Sequence, residues 1–194
     1  MRNVVQSISV GVPLPRSHPI SILLSSLLGA LFFSVCSQIA LPLPLVPITL
    51  QTFALFLLVI TQGKERACLS LILHLVGISC GFPILAGGLS DPLWFLGTRA
   101  GYLIGFPVTA YVMGGMMSAR SHLSFSRLVF IFSCGQLIVY LVGVSVLSSM
   151  VGAKMGMMWG MFPFLLGDGI KILCGAWVGS RIFRCSSLFT PERS

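Results

Sequence analysis

The stretch Ser17–Gly63, SHPISILLSSLLGALFFSVCSQIALPLPLVPITLQTFALFLLVITQG, contains no Asp, Glu, Lys or Arg. Its first part, Ile20 to Ala40, is uncharged and predominantly apolar and matches the roughly 20 residues that a bilayer-crossing helix requires. It is too long and too far along the chain for a signal-peptide core, and no small-residue cleavage site follows it. Pro42, Pro44 and Pro47 then interrupt the run, because each removes a backbone donor and disfavours helix in the residue before it. A second, shorter apolar span, about 48–62, ends at the charged turn Gly63-Lys64-Glu65-Arg66.

The same pattern continues outward from this stretch. Further spans are expected at about 67–82, 99–117, 128–150 and 163–180, with Pro163 in the first turn of the last helix, where proline is tolerated. The chain has 194 residues, 56% of them hydrophobic, a mean hydropathy of +1.00, and only 8% charged. A soluble domain carries about a quarter charged residues, so ordinary soluble enzymes and disordered chains are excluded. The expected fold is an all-α integral membrane protein, a single domain of six transmembrane helices. The net charge of +8 reads as the basic flanks of membrane spans, with no nucleic-acid partner implied. The six cysteines show neither a C-x-x-C pair nor His neighbours at metal spacing, so no metal, disulfide or cofactor is expected.

Between the third and fourth spans, Gly81 to Gly97 (GFPILAGGLSDPLWFLG) is too rich in Gly and Pro for a helix and too apolar for a solvated loop. Irregular backbone at membrane level is tolerated where it packs on protein or lines a cavity, so loop 81–97 reads as a lid folded over the bundle. With six spans and the N-terminus inside, cytoplasmic segments carry Arg2, Arg16, Lys64, Arg66, Arg120, Arg127, Arg181, Arg184 and Arg193, and outer segments carry Lys154 alone. That imbalance obeys the positive-inside rule and places both termini in the cytoplasm. Trp94, Trp159 and Trp177 fall near span ends, as interfacial aromatics do.

Three charges remain inside the spans: Arg99, Asp168 and Lys171. A charge at the bilayer centre costs roughly 2.5–3.5 kcal/mol on insertion scales, so such residues normally face a cavity with a function. Asp168 and Lys171 are three apart and share a helix face, and the topology puts all three residues at the outer level. The plain alternative is that Asp168 and Lys171 neutralise each other while Arg99 snorkels outward. Two cations against one anion, however, leave a surplus positive charge suited to a small monoanionic ligand, with Asp168 free to accept hydrogen bonds from it. The pairs Gly101-x-x-x-Gly105 and Gly175-x-x-x-Gly179 and the stripe Ser26, Ala30, Ser34 allow close helix packing, and the stripe suits contact with another membrane subunit equally well.

Several strings resemble the BioY family, the biotin-specific substrate-binding (S) components of energy-coupling-factor (ECF) transporters. They are Ser37-Gln38-Ile39 running into Pro42 and Pro44, Val46-Pro47-Ile48-Thr49-Leu50-Gln51-Thr52, Gly81-Phe82-Pro83 with Ala86-Gly87-Gly88, Gly101-Tyr102-Leu103-Ile104-Gly105-Phe106-Pro107, and Pro163 with Asp168-x-x-Lys171. The resemblance covers about Ile20 to Arg181. The resemblance implies a six-helix bundle in the cell membrane that captures biotin from outside and delivers it inward. It also implies coupling to a transmembrane T subunit and two ABC-type ATPases. By the same resemblance Arg99 and Lys171 partner the valerate carboxylate, Asp168 accepts from ureido N–H groups, and Tyr102 forms pocket wall. A small-xxx-small pair on the first helix serves T-subunit docking in several S components, and Ala30 and Ser34 match it weakly. Many relatives have Pro-Thr-Gly-Gly before the span-four Tyr, where this chain has Thr98-Arg99-Ala100-Gly101. Some carry an Asn near the lid, whereas the only Asn here is Asn3.

Other readings make different demands. An S component or small permease for another monoanionic vitamin or metabolite would share the bundle and differ in the pocket. A metal-dependent membrane phosphotransferase needs several carboxylates, and the spans offer Asp168 alone. No G-x-x-x-x-G-K-[ST] phosphate loop is present, His74 has no acidic partner in sequence, and an enzyme is not expected. A purely structural bundle or channel subunit leaves the surplus cation unexplained.

Overall fold

The structure, a computed structural model, describes residues 19–118 and 123–188. Helix α1 spans Pro19–Gln38, α2 Gln51–Ser79, α3 Ala100–Ser118, α4 Phe125–Val151, α5 Ala153–Gly160 and α6 Phe162–Leu188. Among the described residues, four segments are long and apolar enough to cross a membrane: Pro19–Gln38, Ala100–Met117, Phe125–Val151 and Ala153–Arg184.

The proline-rich linker after α1 does not extend a helix. It forms a small antiparallel pair, β1 (Ala40–Leu41) with β2 (Ile48–Thr49), with Ala40 opposite Thr49. The second span therefore starts at Gln51 rather than at residue 48. The expected second and third spans are carried by one element, α2, which breaks at Gly63 with φ 73° and ψ −178°, a conformation that glycine adopts without steric penalty. The chain reverses there. Ser70 Oγ donates to Gln62 Oε1 at 2.7 Å, although residues eight apart on a straight helix are separated by about 12 Å.

Contacts with α1 follow the reversal. Gln62 Nε2 donates to the Ser25 carbonyl (2.9 Å), Ser34 Oγ meets His74 Nδ1 (2.8 Å), and Ser37 Oγ donates to the Ile84 carbonyl (2.5 Å). The half of α2 after Gly63 thus runs alongside α1 in the same direction. These contacts settle the Ser26, Ala30, Ser34 stripe: its residues are buried against α2, so that face is not open to another subunit. The lipid side of α1 is Leu23, Leu24, Leu27, Leu28, Leu31 and Val35.

Glycines set the approach of the other helices. A Cβ on Gly101 would lie 2.6 Å from the Val142 carbonyl oxygen of α4, and one on Gly179 would lie 2.8 Å from Ile60 and 3.1 Å from Leu128. Helices α2, α3, α4 and α6 close around a common interior, with α1 packed outside on α2. Lys64 stands 5.3 Å from the Tyr111 ring centre, and Leu128 and Ile60 meet α6 at Gly179. The Gly63 reversal, the end of α3, the start of α4 and the later part of α6 therefore share one end of the bundle, where Lys64, Arg66, Arg127, Arg181 and Arg184 gather. Arg2, Arg16, Arg120 and Arg193 lie outside the described residues.

Segment 81–97 sits at the opposite end, irregular apart from a 3-10 turn at Trp94–Leu96 and an isolated bridge between Leu85 and Leu89. Gln38 holds it from both sides: Nε2 donates to the Leu85 carbonyl (3.1 Å), and Oε1 accepts from Gly88 N–H (2.8 Å). Lys154, expected in an outer loop, lies in the short helix α5.

Candidate functional site

The polar core of the bundle is built on Asp168, six residues into α6 and 2% exposed. Its carboxylate is covered by protein donors on both oxygens. Oδ1 accepts from Lys171 Nζ (2.9 Å) and Thr52 Oγ1 (3.2 Å), and Oδ2 accepts from Gln136 Nε2 (2.7 Å) and Tyr140 OH (2.6 Å). Four donors fill the roughly four acceptor positions of a carboxylate. Lys171 is equally occupied, since its ammonium also donates to the Thr49 carbonyl (2.6 Å) and to Thr52 Oγ1 (3.1 Å), which uses all three protons. The result is one network joining α2, α4 and α6. Continuity of this kind makes buried polar groups tolerable in a low-dielectric interior.

Each strand of the network has a local cause. Thr49 ends β2 and Thr52 lies in the first turn of α2, so a backbone carbonyl not yet in a helix is available to Lys171. Gln136 and Tyr140 are one turn apart on α4 and present one face. Tyr102 near the start of α3 donates to the Gly160 carbonyl at the end of α5 (2.7 Å). Its ring lies against Gly143 of α4, where any Cβ would collide with it.

Asp168, Lys171, Tyr102 and Arg99 all line one cavity of about 50 Å³, together with Gln51, Gln136, Tyr140 and Thr52. A second void of about 330 Å³ lies outside it, lined by Leu89, Asp91, Trp94 and Thr98, and the two share Leu85, Arg99 and Leu103. Arg99 stands at the boundary. Among the described residues its side chain makes no hydrogen bond or ion pair, and the single salt bridge is Lys171–Asp168. The charge bookkeeping is thus divided: Asp168 and Lys171 answer each other, and the open cation is Arg99.

Sequence reasoning did not single out Gln51, Thr52, Gln136 or Tyr140 as site residues. Gln136 and Tyr140 carried a usable signal, a polar pair at helical spacing in an otherwise apolar span. Two buried amide atoms in the cavity have no partner, Gln51 Nε2 and Gln136 Oε1. His74, close-packed against Phe33 (ring centres 4.9 Å apart), lies outside the cavity. Among the described residues no cluster of His, Cys, Asp and Glu is able to hold a metal ion.

A helical membrane bundle that encloses a polar cavity beneath an irregular segment defines a small-molecule-binding membrane protein. A family model described as the BioY family matches residues 11–187; the chain belongs to this family. It is a multi-pass membrane protein. It is 29% identical over 150 residues to the probable biotin transporter BioY of Pyrococcus horikoshii, covering 77% of this chain and 88% of that one. It is 31% identical over 149 residues to the biotin transporter BioY of Thermotoga maritima, covering 76% and 87%. The fold is similar to the crystal structure of the S-component for biotin from an ECF-type ABC transporter, with a TM-score of 0.75, 21% identity, and coverage of 88% and 95%.

Proposed function

We propose that this protein is a biotin-uptake subunit: a membrane protein, not an enzyme, that captures biotin from outside and delivers it to the cytoplasm. The observation that carries the reading is the family match over residues 11–187, which contains every residue of the cavity. In this reading Arg99 holds the ligand's carboxylate at the boundary between the two voids. Tyr102 walls the cavity, and the Asp168–Lys171 pair with its neighbours forms the polar floor beneath the ring end. Loop 81–97 acts as the lid, latched by Gln38, over a single membrane domain. The two halves of α2 count as two crossings. That gives six in all, with both termini cytoplasmic in the cell membrane, an orientation supported by the basic residues at the Gly63 end. Partners of the ECF type, a T subunit and two ATPases, complete the transporter.

The test is titration of purified protein with biotin, with lipoate and nicotinate as monoanionic comparators. Tight biotin binding and none of the others is the expected result; preference for another anion would move the reading to a sibling permease. Thiol labelling of intact cells checks orientation: a cysteine placed at Lys154 should react from outside, and one at Glu65 only after permeabilisation.

A further inference from the structure

The two unpartnered amide atoms in the cavity have opposite polarity, and for Gln136 the orientation is imposed by its partner. Gln136 must turn its NH₂ toward Asp168, because a carboxylate only accepts, and this leaves Oε1 as an acceptor. Gln51 takes the Thr49 hydroxyl proton on Oε1 (3.0 Å), and this leaves Nε2 as a donor. Both side chains are more than nine-tenths buried, at 6% and 4% exposure. Leaving a buried polar group without a partner costs about 1–3 kcal/mol, so two in one cavity define a demand on whatever fills it. The hydroxyls nearby do not meet it, since Tyr140 and Thr52 donate to Asp168 and Tyr102 to Gly160.

From this geometry we infer that Gln51 and Gln136 are the specificity-determining pair for the ligand's ring end. They read a group that presents a carbonyl oxygen beside an N–H, as a cyclic urea or lactam does. Gln51 Nε2 donates to the carbonyl, and Gln136 Oε1 accepts from the adjacent N–H. Asp168 acts behind Gln136 as a positioning residue. The assignment rests on the biotin reading and sharpens it: the ureido ring is recognised by two neutral amides, and the charged residues fix which way one of them faces.

The experiment measures binding of four ligands to the purified full chain: biotin, 2-thiobiotin, whose sulfur is a poor acceptor, and two biotins methylated on one or the other ureido nitrogen. Wild-type protein should bind 2-thiobiotin and one of the two methylated ligands at least tenfold more weakly than biotin. Gln51→Leu should weaken biotin about tenfold, the scale of one lost hydrogen bond, and should abolish the difference between biotin and 2-thiobiotin. The methylation penalty should persist in that variant, which shows that the site is still folded. Gln51→Asn should restore part of the discrimination. If wild-type protein binds biotin tightly but 2-thiobiotin and both methylated ligands equally well, the assignment of the two glutamines is overturned and the biotin reading stands. If wild-type protein binds none of the ligands, the biotin reading itself has failed.

Discussion

Replacing Asp168 with Asn tests the central network because the change is nearly isosteric and affects only charge and donor polarity. The carboxylate accepts four hydrogen bonds. An amide has one oxygen to accept with and an NH₂ that must face acceptors, so two of the four donors lose their partner. The Gln136–Tyr140 side relaxes more readily, since Gln136 can rotate its amide and Tyr140 its hydroxyl, whereas the Lys171 ammonium can only donate. The new NH₂ should therefore face α4, leaving Lys171 with acceptors but no counter-charge. Removing one member of a buried ion pair costs about 3–5 kcal/mol. Lys171 is 12% exposed and keeps the Thr49 carbonyl, so the lower end applies, about 3 kcal/mol or roughly a hundredfold in the folding equilibrium. Unfolding by SDS titration in mixed micelles reads this directly. Asp168→Leu combined with Lys171→Met should recover most of the loss, because an apolar pair leaves no stranded charge. Neither variant should bind biotin well, because Gln136 is turned over in the first and no longer held in the second. A stability within 1 kcal/mol of wild type for Asp168→Asn, or wild-type biotin affinity in the double variant, would refute the organising role assigned to the carboxylate.

Arg99→Gln should weaken biotin by roughly 10- to 150-fold, the range of one hydrogen bond to a charged group, while biotin amide binds as before; an equal loss for both ligands counts against a carboxylate contact. Gly143→Ala should destabilise by about 1–3 kcal/mol through overpacking and displace Tyr102 from the Gly160 carbonyl, read as a lower unfolding midpoint. Gln38→Ala removes that residue's two ties to segment 81–97 and should speed biotin release severalfold in a filter-dissociation assay; an unchanged rate would argue that Gln38 does not latch this segment.

The charged members of the site were legible because charge is scarce in this chain. Arg99, Asp168 and Lys171 stood out as ions in spans that exclude them, and the structure brings all three to one cavity. Neutral partners were harder to see. Thr, Gln and Tyr occur through membrane helices without penalty enough to mark them, and the pairing of Thr52 with Asp168, 116 residues apart, is set by how α2 and α6 pack. The Ser26, Ala30, Ser34 stripe shows the same limit. Small residues announce a close approach but not the neighbour, and the neighbour is α2 of this chain. Apolar runs marked the helices well, yet the three prolines gave no sign that their linker would pair as β1 and β2.

The reversal at Gly63 bears on how the chain enters a membrane during synthesis. Residues 51–62 make a helix of about 18 Å and residues 64–79 one of about 24 Å at 1.5 Å per residue, and both fall short of the roughly 30 Å hydrocarbon thickness. Neither segment has the length to partition into lipid as an independent stop-transfer unit, and Lys64, Glu65 and Arg66 form the first turn of the second. Their polar side chains are matched to α1, with Gln62 against Ser25 and His74 against Ser34. Helix α1, made before α2, thus serves as the template on which the short hairpin is accepted. A defect on its buried face should be seen as failed insertion of α2 and rapid clearance of the nascent protein, before any loss of affinity can be measured.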